Sequence, residues 1–264
     1  QGFEQLRAAG IEVVEGVMKA QAEALNPGYI KRMRDRMPYV RCKLAMSLDG
    51  RTAMASGESQ WITSTAARED VHRLRAQSSA ILTGLGTLKA DDPSMNVRLE
   101  PESLGLDSDL HTPQPLRVVL DPQLQTPVDA RMLSLPGPVL IVCSDDARLD
   151  SGPLEAAGAQ VLTVPADGDR LDLRQTMAYL AEQEINEVLL ESGAVLAGAM
   201  MAEGLIDELV VYLAPHLMGS GARGLFNLPA IELMSQRIAL KITDLRRIGE
   251  DIRITAKPQP ALQE

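Results

Sequence analysis

The chain has 264 residues, of which 45% are apolar and only 3% aromatic, and its formal net charge is −10. This length allows one large domain or two small ones, with a sizeable core built from aliphatic side chains. The negative charge argues against general binding to nucleic acid or to an anionic membrane.

The cysteines and histidines form no recognisable redox or metal motif. Cys42 and Cys143 each lie in an apolar run typical of a strand, where we expect a buried, reduced thiol. No CxxC pair exists, and His72, His111 and His216 lie far apart in the sequence. We therefore predict no metal site. The chain has no run of 18 apolar residues and no signal-like start, so a cytoplasmic protein without a membrane partner is expected.

The first 37 residues are predicted to be mostly helical. Periodicity and turn residues predict a helix over 3–9 closed by Gly10, a strand over 11–14 and a helical segment over 18–36 with a break near 26–28. The clearest boundary follows, where a charged helix meets Met37 and Pro38. Residues 1–37 are too short for a domain, so we interpret them as the end of a unit that begins upstream.

From residue 38 onward, short apolar runs alternate with helical patterns. The predicted strands are 40–48, 80–83, 116–120, 139–142, 160–164, 188–190 and 209–213, and the predicted helices are 64–77, 153–157, 172–184 and 194–203. Residues 99–115 are predicted to form a surface loop, 238–256 a hairpin around 249–251, and the tail from Pro258 to fray. This alternation predicts an α/β domain with a largely parallel sheet and antiparallel edge strands.

The exit of the 40–48 strand is a candidate reaction site, because ligands of α/β sheets bind at the carboxyl ends of strands. Lys43 lies inside this apolar strand, where a charge is costly unless it is paired. Either the strand is at an edge and Lys43 faces water, or Lys43 serves a substrate with Asp49, Asp91 or Glu191 as its partner. Trp61, in the loop that follows, either stacks on a flat ring or fills the core, the usual place for a lone tryptophan.

Two glycine-rich segments follow other predicted strands. Residues 191–199 open a helix whose first amides could bind phosphate, although a tight turn with glycine chosen for packing would look the same. Residues 83–93 add Thr87 and Asp91, and here the alternative is a turn plus an N-cap aspartate before proline. Neither segment matches a GxGxxG or GxxxxGK[ST] motif, so an ordinary Rossmann site is not supported. Two such exits in one domain favour a nucleotide cofactor.

Four arginines lie near these segments. Guanidinium groups bind phosphate bidentately and stay charged. Arg68 and Arg73 are interpreted as a solvated helix face. Arg75 and Arg98 each lie close to a candidate loop, so a role in binding phosphate stays open for them.

Together, these motifs resemble the reductase domain of the bifunctional riboflavin-biosynthesis proteins, which join a diaminohydroxyphosphoribosylaminopyrimidine deaminase to a 5-amino-6-(5-phosphoribosylamino)uracil reductase. The resemblance covers residues 38–264 and rests on KLAMSLDGRTA, GESQWIT, RLRAQS, ADDP, ESGAVLAG, and DEL leading into AP and Gly219. Residues 1–37 resemble the last part of the deaminase domain. The deaminase needs a zinc site of the HxE…PCxxC type, which is absent from these residues, so zinc and deamination would belong to an upstream domain.

The resemblance implies a dihydrofolate-reductase-like, three-layer α/β/α fold with a mixed, mostly parallel sheet, and a homodimer. It implies that NADPH reduces the ribosyl group of a phosphorylated pyrimidine to a ribityl chain. Implied cofactor contacts are Ala45, Trp61, Thr87, Asp91, Ser144, Gly193, Ala194, Val195, Leu196, Ala197, Gly198 and Ala199. Implied substrate contacts are Ser59, Arg75, Met95 through its backbone, Arg98 and Glu191, with Ser59, Arg75 and Arg98 on the phosphate. Lys43 or Asp91 is our candidate for proton delivery.

Two other functions stay open at this point. A pteridine reductase of the dihydrofolate reductase type would need no phosphate site, against which Ser59, Arg75 and Arg98 argue. A nucleotide-sensing module would keep the cofactor pocket without the chemistry, against which Lys43, Asp91 and Glu191 argue.

Overall fold

The computed structural model describes residues 2–146 and 148–259. Its helices are α1 Gly2–Ala8, α2 Lys19–Leu25, α3 Pro27–Asp35, α4 Thr65–Gln77, α5 Leu85–Asp91, α6 Gly152–Ala156, α7 Leu173–Glu182 and α8 Ala194–Ala202. Its strands are β1 Tyr39–Ser47, β2 Arg51–Ala53, β3 Ala80–Gly84, β4 Leu116–Leu120, β5 Val139–Ser144, β6 Gln160–Val164, β7 Ala166–Asp167, β8 Arg170–Leu171, β9 Glu187–Glu191, β10 Glu208–Ala214, β11 Arg223–Gly224, β12 Leu240–Ile248 and β13 Asp251–Pro258.

Nine strands form one sheet in the order β12-β13-β10-β1-β9-β3-β4-β5-β6. The seven strands from β10 to β6 run parallel, and β13 and β12 add an antiparallel edge. This confirms the predicted mixed, mostly parallel sheet and its closing hairpin. β1 lies between β9 and β10, so the interpretation of Lys43 as a residue on an edge strand is wrong. Two short ribbons, β2–β11 and β7–β8, lie outside the sheet.

The central strands of the sheet are buried on both faces, which confirms the three-layer arrangement. Alternate residues of one strand enter different cores: Leu82 of β3 packs with Met177 of α7 and Met200 of α8, whereas Ile81 packs with Val71 and Leu74 of α4. Parallel strands covered by helices on both sides are expected to be apolar at consecutive positions. Cys42 and Cys143 are buried and unpaired, as predicted.

The N-terminal segment departs from the prediction in one place. Residues 11–14 do not form a strand, and within the described residues no neighbouring strand pairs with them. The predicted helical break is confirmed, because Asn26 separates α2 from α3 and Pro27 is the first residue of α3. α3 is fastened to the sheet by a Lys31–Asp207 ion pair of 2.6 Å. Of the predicted tail, residues 260–264 lie outside the described part, and Pro258 ends β13.

The segment after β3 is helical, whereas the sequence analysis predicted no helix there and named a turn as the alternative to a ligand-binding loop. α5 begins directly at Leu85, and Asp92 forms its C-cap with φ 39°. The alternative of an aspartate N-cap before proline is therefore wrong. Gly84-Leu85-Gly86 obscured this helix, because glycine is a poor helix former. The predicted 64–77 helix is confirmed as α4, with Ser64 as its N-cap.

Candidate functional site

A cavity of about 720 Å³ lies at the carboxyl ends of β1, β3 and β9. Parallel strands bring their carboxyl ends to one edge, so segments distant in sequence meet there. Among the predicted site residues, those that line it are Lys43, Ala45, Ser59, Trp61, Arg75, Thr87, Asp91, Met95, Arg98, Glu191, Gly193 and Ala194. The edge of the sheet was therefore predicted correctly as the place where these groups meet.

Lys43, Arg75 and Glu191 form an inner charge cluster. Lys43 of β1 is in register with Glu191 of β9, and its amine lies 6.0 Å from the centre of the Tyr212 ring. Arg75 donates to Glu191 through Nε at 2.6 Å and Nη2 at 2.8 Å, and its Nη1 donates to the Asn96 carbonyl at 3.0 Å. Three Arg75 donors are thus already bonded to protein acceptors.

The cluster shifts the pKa of both its carboxylate and its amine. Burial would raise the pKa of Glu191, but the charge and hydrogen bonds of Arg75, with Lys43, outweigh it and lower that pKa to about 2. Burial lowers the pKa of the Lys43 amine, and the opposing charge of Glu191 does not cancel this effect. Glu191 is therefore a fixed anion beside an amine that loses its proton more easily than an exposed lysine.

Asp49 and Asp91, the other candidate partners of Lys43, have different positions. The Asp49 carboxylate accepts hydrogen bonds from the Ser47 hydroxyl and from the amides of Met218 and Gly219, the last at 2.8 Å. It therefore ties the loop after β1 to the loop after β10. Asp91 is exposed at the end of α5, on the cavity wall.

Trp61 does not belong to the core, so that interpretation is wrong. Its side chain is 71% exposed, and the Arg68 guanidinium lies 4.6 Å from the ring centre. Arg68 is held there by hydrogen bonds to the Thr63 carbonyl at 2.7 Å and the Thr65 hydroxyl at 2.8 Å. Arg68 is thus part of the cavity wall and not a solvated face, whereas Arg73 is exposed as predicted.

The two glycine-rich exits meet at the cavity. The Gly193 amide, just before α8, donates to the Thr87 hydroxyl of α5 at 3.2 Å. Amides of the first turn of a helix lack intrahelical partners and favour anions. The start of α8, at Gly193 and Ala194, is therefore suited to a phosphate of a cofactor.

The rest of the predicted 193–199 set lies elsewhere. Ala197 is fully buried, Leu196 and Ala199 pack on the core, and Val195 is exposed outside the cavity wall. A Cβ at position 198 would overlap the backbone carbonyl of Asn227. The glycine at position 198 is required by packing. The assignment of residues 195–199 to the cofactor stays a prediction.

Ser144 is not brought to this cavity. It ends β5 and lines a separate hollow of about 240 Å³, together with Asp145 and Asp146. Its assignment to the cofactor stays a prediction.

His72 is a cavity residue that sequence reasoning missed. It lies on α4 one turn before Arg75. Its Nδ1 lies 3.3 Å from the Arg98 amide and its Nε2 lies 3.3 Å from Arg98 Nε. Burial, with Arg75 and Arg98 nearby, lowers the pKa of His72 to about 4. The spacing from Arg75 was a usable signal, since residues three apart share a helix face.

No group of three or more His, Cys, Asp or Glu side chains in residues 2–146 and 148–259 could hold a metal ion. No helix in the same ranges is long and apolar enough to cross a bilayer.

Known proteins are similar to this chain over most of its length. The RibD C-terminal domain family matches residues 38–254. The riboflavin biosynthesis protein RibD of Escherichia coli is 44% identical over 256 residues, covering 96% of this chain and 68% of that protein. A solved structure of Acinetobacter baumannii RibD has a TM-score of 0.84 at 40% identity, covering 98% of this chain and 68% of that one. The yeast riboflavin biosynthesis reductase Rib7, at 17% identity and a TM-score of 0.64, shares the fold, in agreement with the predicted dihydrofolate-reductase-like architecture.

Proposed function

Because this chain belongs to the RibD C-terminal domain family, we propose that it is the reductase of riboflavin biosynthesis that acts on 5-amino-6-(5-phosphoribosylamino)uracil. In this proposal, NADPH reduces the ribosyl group of that substrate to the ribityl product. The alternative of a pteridine reductase needs no phosphate site, and the charge of the cavity does not favour it.

The charge of the cavity wall is the observation that carries the proposal. The whole chain has a net charge of −10, yet the wall has six cationic side chains and three carboxylates. The cations are Lys43, Arg68, Arg75, Arg98, Arg131 and Arg223, and the carboxylates are Asp91, Asp92 and Glu191. A local excess of arginine in an acidic protein fits a site for two phosphorylated ligands, a dinucleotide and a sugar phosphate.

The residues at the start of α8 suit the cofactor. Gly193 leaves room there, because the nearest atom to a Cβ at that position would be the Thr87 hydroxyl at 3.9 Å. We propose that Ala45, Thr87, Asp91, Gly193 and Ala194 hold NADPH, and that the exposed ring of Trp61 stacks against it. When bound, NADPH supplies a hydride for C1′ of the sugar.

The protein contributes alignment and a proton. Opening the sugar ring requires a proton at the ring oxygen. Lys43 is the proposed donor, because it lies inside the cavity and burial lowers the pKa of its amine. Glu191, in register with Lys43 on the neighbouring strand, attracts the amine electrostatically and is itself fixed by Arg75. Asp91, the other candidate donor, is exposed and is assigned to the cofactor.

The substrate phosphate is assigned to Arg98 and Ser59, which line the cavity. Arg75 was predicted for the same role, but three of its N–H donors are already hydrogen-bonded to Glu191 and the Asn96 carbonyl. Its contribution to the substrate is therefore proposed to be the orientation of Glu191. Met95, with φ 47°, presents its backbone at the same wall.

The function is tested by mixing the protein with NADPH and the phosphoribosylaminouracil substrate and following oxidation of the reduced nicotinamide. We expect substrate-dependent oxidation, with KM raised about 10- to 100-fold in Arg98→Gln, because a charge-assisted hydrogen bond to a phosphate contributes about 1.5–3 kcal/mol. Arg73→Gln is the matched control, since Arg73 is on α4 but exposed outside the wall. NADPH binding without oxidation would instead support the nucleotide-sensing alternative.

A homodimer is part of the proposal. β12 is a nine-residue edge strand, and Leu240, Ile242 and Leu245 on it are 48%, 59% and 62% exposed. A long apolar edge strand is a template for pairing, and a second copy of the same strand matches it antiparallel. Light scattering is expected to give twice the chain mass, and Ile242→Lys to give the single mass. A monomeric parent protein would contradict the dimer.

An upstream deaminase domain is also proposed. The match covers 68% of the E. coli relative, so about a third of that protein lies outside it. α1, α2 and the segment between them expose Phe3, Val14, Val17 and Leu25. We interpret residues 1–37 as the end of the deaminase domain, whose zinc would lie upstream, and 38–264 as the reductase domain. A cytoplasmic location fits the two unpaired thiols.

A further inference from the structure

The contact between His72 and Arg98 offers more donors than acceptors. The Arg98 amide points to Nδ1 and the Arg98 Nε–H points to Nε2, both at 3.3 Å. A neutral imidazole has one lone pair and one N–H, and an imidazolium has no lone pair. The two Arg98 donors therefore cannot both be satisfied by His72.

A third group competes for the same ring. The backbone carbonyl of Asn96 also acts on the ring and raises its pKa, as an acceptor that favours the N–H form does. That carbonyl already accepts from Arg75 Nη1 at 3.0 Å. His72 and Arg98 thus form a donor-rich corner of the cavity, in which an acceptor-rich ligand would relieve the mismatch.

The charged groups around His72 also favour an anionic ligand. Arg75 from its own helix, Arg98 from the segment after α5 and Glu191 from β9 are the charged groups that act on it. Burial, followed by the charges of Arg75 and Arg98, lowers the pKa of the ring from 6.5 to about 4. A dianion beside Arg98 would offset the arginine charges and favour the imidazolium.

We propose that His72 binds the phosphate end of the substrate directly, as a second ligand beside Arg98. On binding, the amide and the guanidinium of Arg98 both turn from the imidazole to the phosphate. The ring takes up one proton, and Nε2–H then donates to a phosphate oxygen while Nδ1–H faces the backbone carbonyl of Asn96. Phosphate binding is thereby coupled to proton uptake. The identity of this ligand as a sugar phosphate rests on the proposed function, whereas the donor-rich corner itself does not.

The test is calorimetry of ribose 5-phosphate binding to the full chain without NADPH, in buffers of different ionisation enthalpy between about pH 5.5 and 7.5. The comparison is with His72→Gln, whose amide can donate at the place of Nε2 but cannot ionise. We expect the wild type to take up more protons on binding than His72→Gln, with the difference growing as the pH falls. The phosphate of the ligand also takes up protons on binding, but it does so with both proteins. Its contribution therefore cancels when the proton count of His72→Gln is subtracted from that of the wild type. Ribose is the control ligand.

Affinities give a second readout. His72→Leu is expected to weaken ribose 5-phosphate binding about tenfold, and His72→Gln by less than about threefold, because glutamine keeps the donor. Equal proton uptake in wild type and His72→Gln would overturn the proposal, as would absence of ribose 5-phosphate binding by the wild type. If His72→Leu fails to fold, the proton count of His72→Gln decides. Failure of NADPH oxidation with intact ribose 5-phosphate binding would overturn the reductase function and leave this site standing.

Discussion

The inner charge cluster and the outer wall of the cavity, formed by Trp61, His72 and Arg98, are built in opposite ways. In the cluster, Arg75 and Glu191 are joined by two hydrogen bonds of 2.6 and 2.8 Å. On the outer wall, Trp61 is 71% exposed, and Arg98 has only 3.3 Å contacts to an imidazole that cannot satisfy both. Arg75 and Arg98 look alike in sequence, yet only Arg98 is left open. The difference separates groups that hold the site from groups that bind ligands.

Replacing Lys43, in the inner charge cluster, is expected to have the largest effect on catalysis. Lys43→Met is expected to lower kcat about 10²- to 10⁴-fold, the range for loss of a proton donor, with KM changed less than about threefold. Steady-state kinetics with the phosphorylated substrate measure this effect. Lys89→Met is the control, because Lys89 is exposed and outside the cavity wall. Unchanged kcat with a raised KM would show that Lys43 binds substrate without catalysing.

Replacing Glu191 tests whether the cluster is a structural support. Glu191→Gln leaves Arg75 without its ionised partner, and we expect it to lower the free energy of unfolding at pH 7 by about 2–4 kcal/mol. Denaturant titration measures this loss. Glu69→Gln, on the exposed side of α4, is the control and should leave the free energy of unfolding unchanged.

The stability difference between wild type and Glu191→Gln is expected to depend on pH. The pKa of Glu191 is about 2 in the folded protein, below the ~4.3 of an unfolded glutamate. Its stabilisation is therefore complete above about pH 4.3 and lost as the pH falls towards 2. The stability gap between wild type and Glu191→Gln should narrow across that window. A gap that stays constant down to pH 2 would show that the charge of Glu191 contributes nothing.

Two glycines of α8, Gly193 at its N-cap and Gly198 in its middle, are expected to differ in their effect on stability. Gly198→Ala is expected to lower the free energy of unfolding by about 1–3 kcal/mol, because its Cβ would overlap the Asn227 backbone. Gly193→Ala should change stability by less than about 0.5 kcal/mol, since the site around it is open. Thermal or denaturant unfolding compares the two. Equal losses would contradict the division between protein-facing and ligand-facing glycines.

Trp61→Leu is the mildest change. The ring is exposed, so we expect unfolding to be unaffected within about 0.5 kcal/mol. We expect the Kd for NADPH to rise about five- to tenfold, from the loss of roughly 1 kcal/mol of stacking. Fluorescence of the bound reduced nicotinamide measures the affinity. A large stability loss with unchanged affinity would assign Trp61 to the fold.

Periodicity predicted most of the fold, because the seven parallel strands and α4, α7 and α8 are regular apolar patterns. It failed for residues 11–14, where an apolar run has no strand to pair with in the described structure, and for α5, where two glycines obscured a helix. The position of the site was predictable for a similar reason, since carboxyl ends of parallel strands share an edge.

The partners within the site were not predictable in the same way. Arg75 and Glu191 are 116 residues apart in sequence, and only the strand order brings them together. The exposure of Trp61 and the approach of Asn227 to Gly198 likewise depend on segments that local pattern does not place. His72 was missed because a single histidine does not indicate a binding site by itself. Its position beside Arg98 becomes visible only in the folded structure.

The central position of β1 has a consequence for synthesis on the ribosome. Its sheet neighbours are β9 and β10, and about 140 residues separate Ser47 from the start of β9 at Glu187. At translation rates of roughly 5–20 residues per second, β1 waits on the order of ten seconds for its first neighbour. Throughout that interval Val40, Cys42 and Leu44 have no sheet to enter. We therefore expect the strand that carries Lys43 to stay unpaired, with its apolar side chains exposed, for most of the synthesis of this chain.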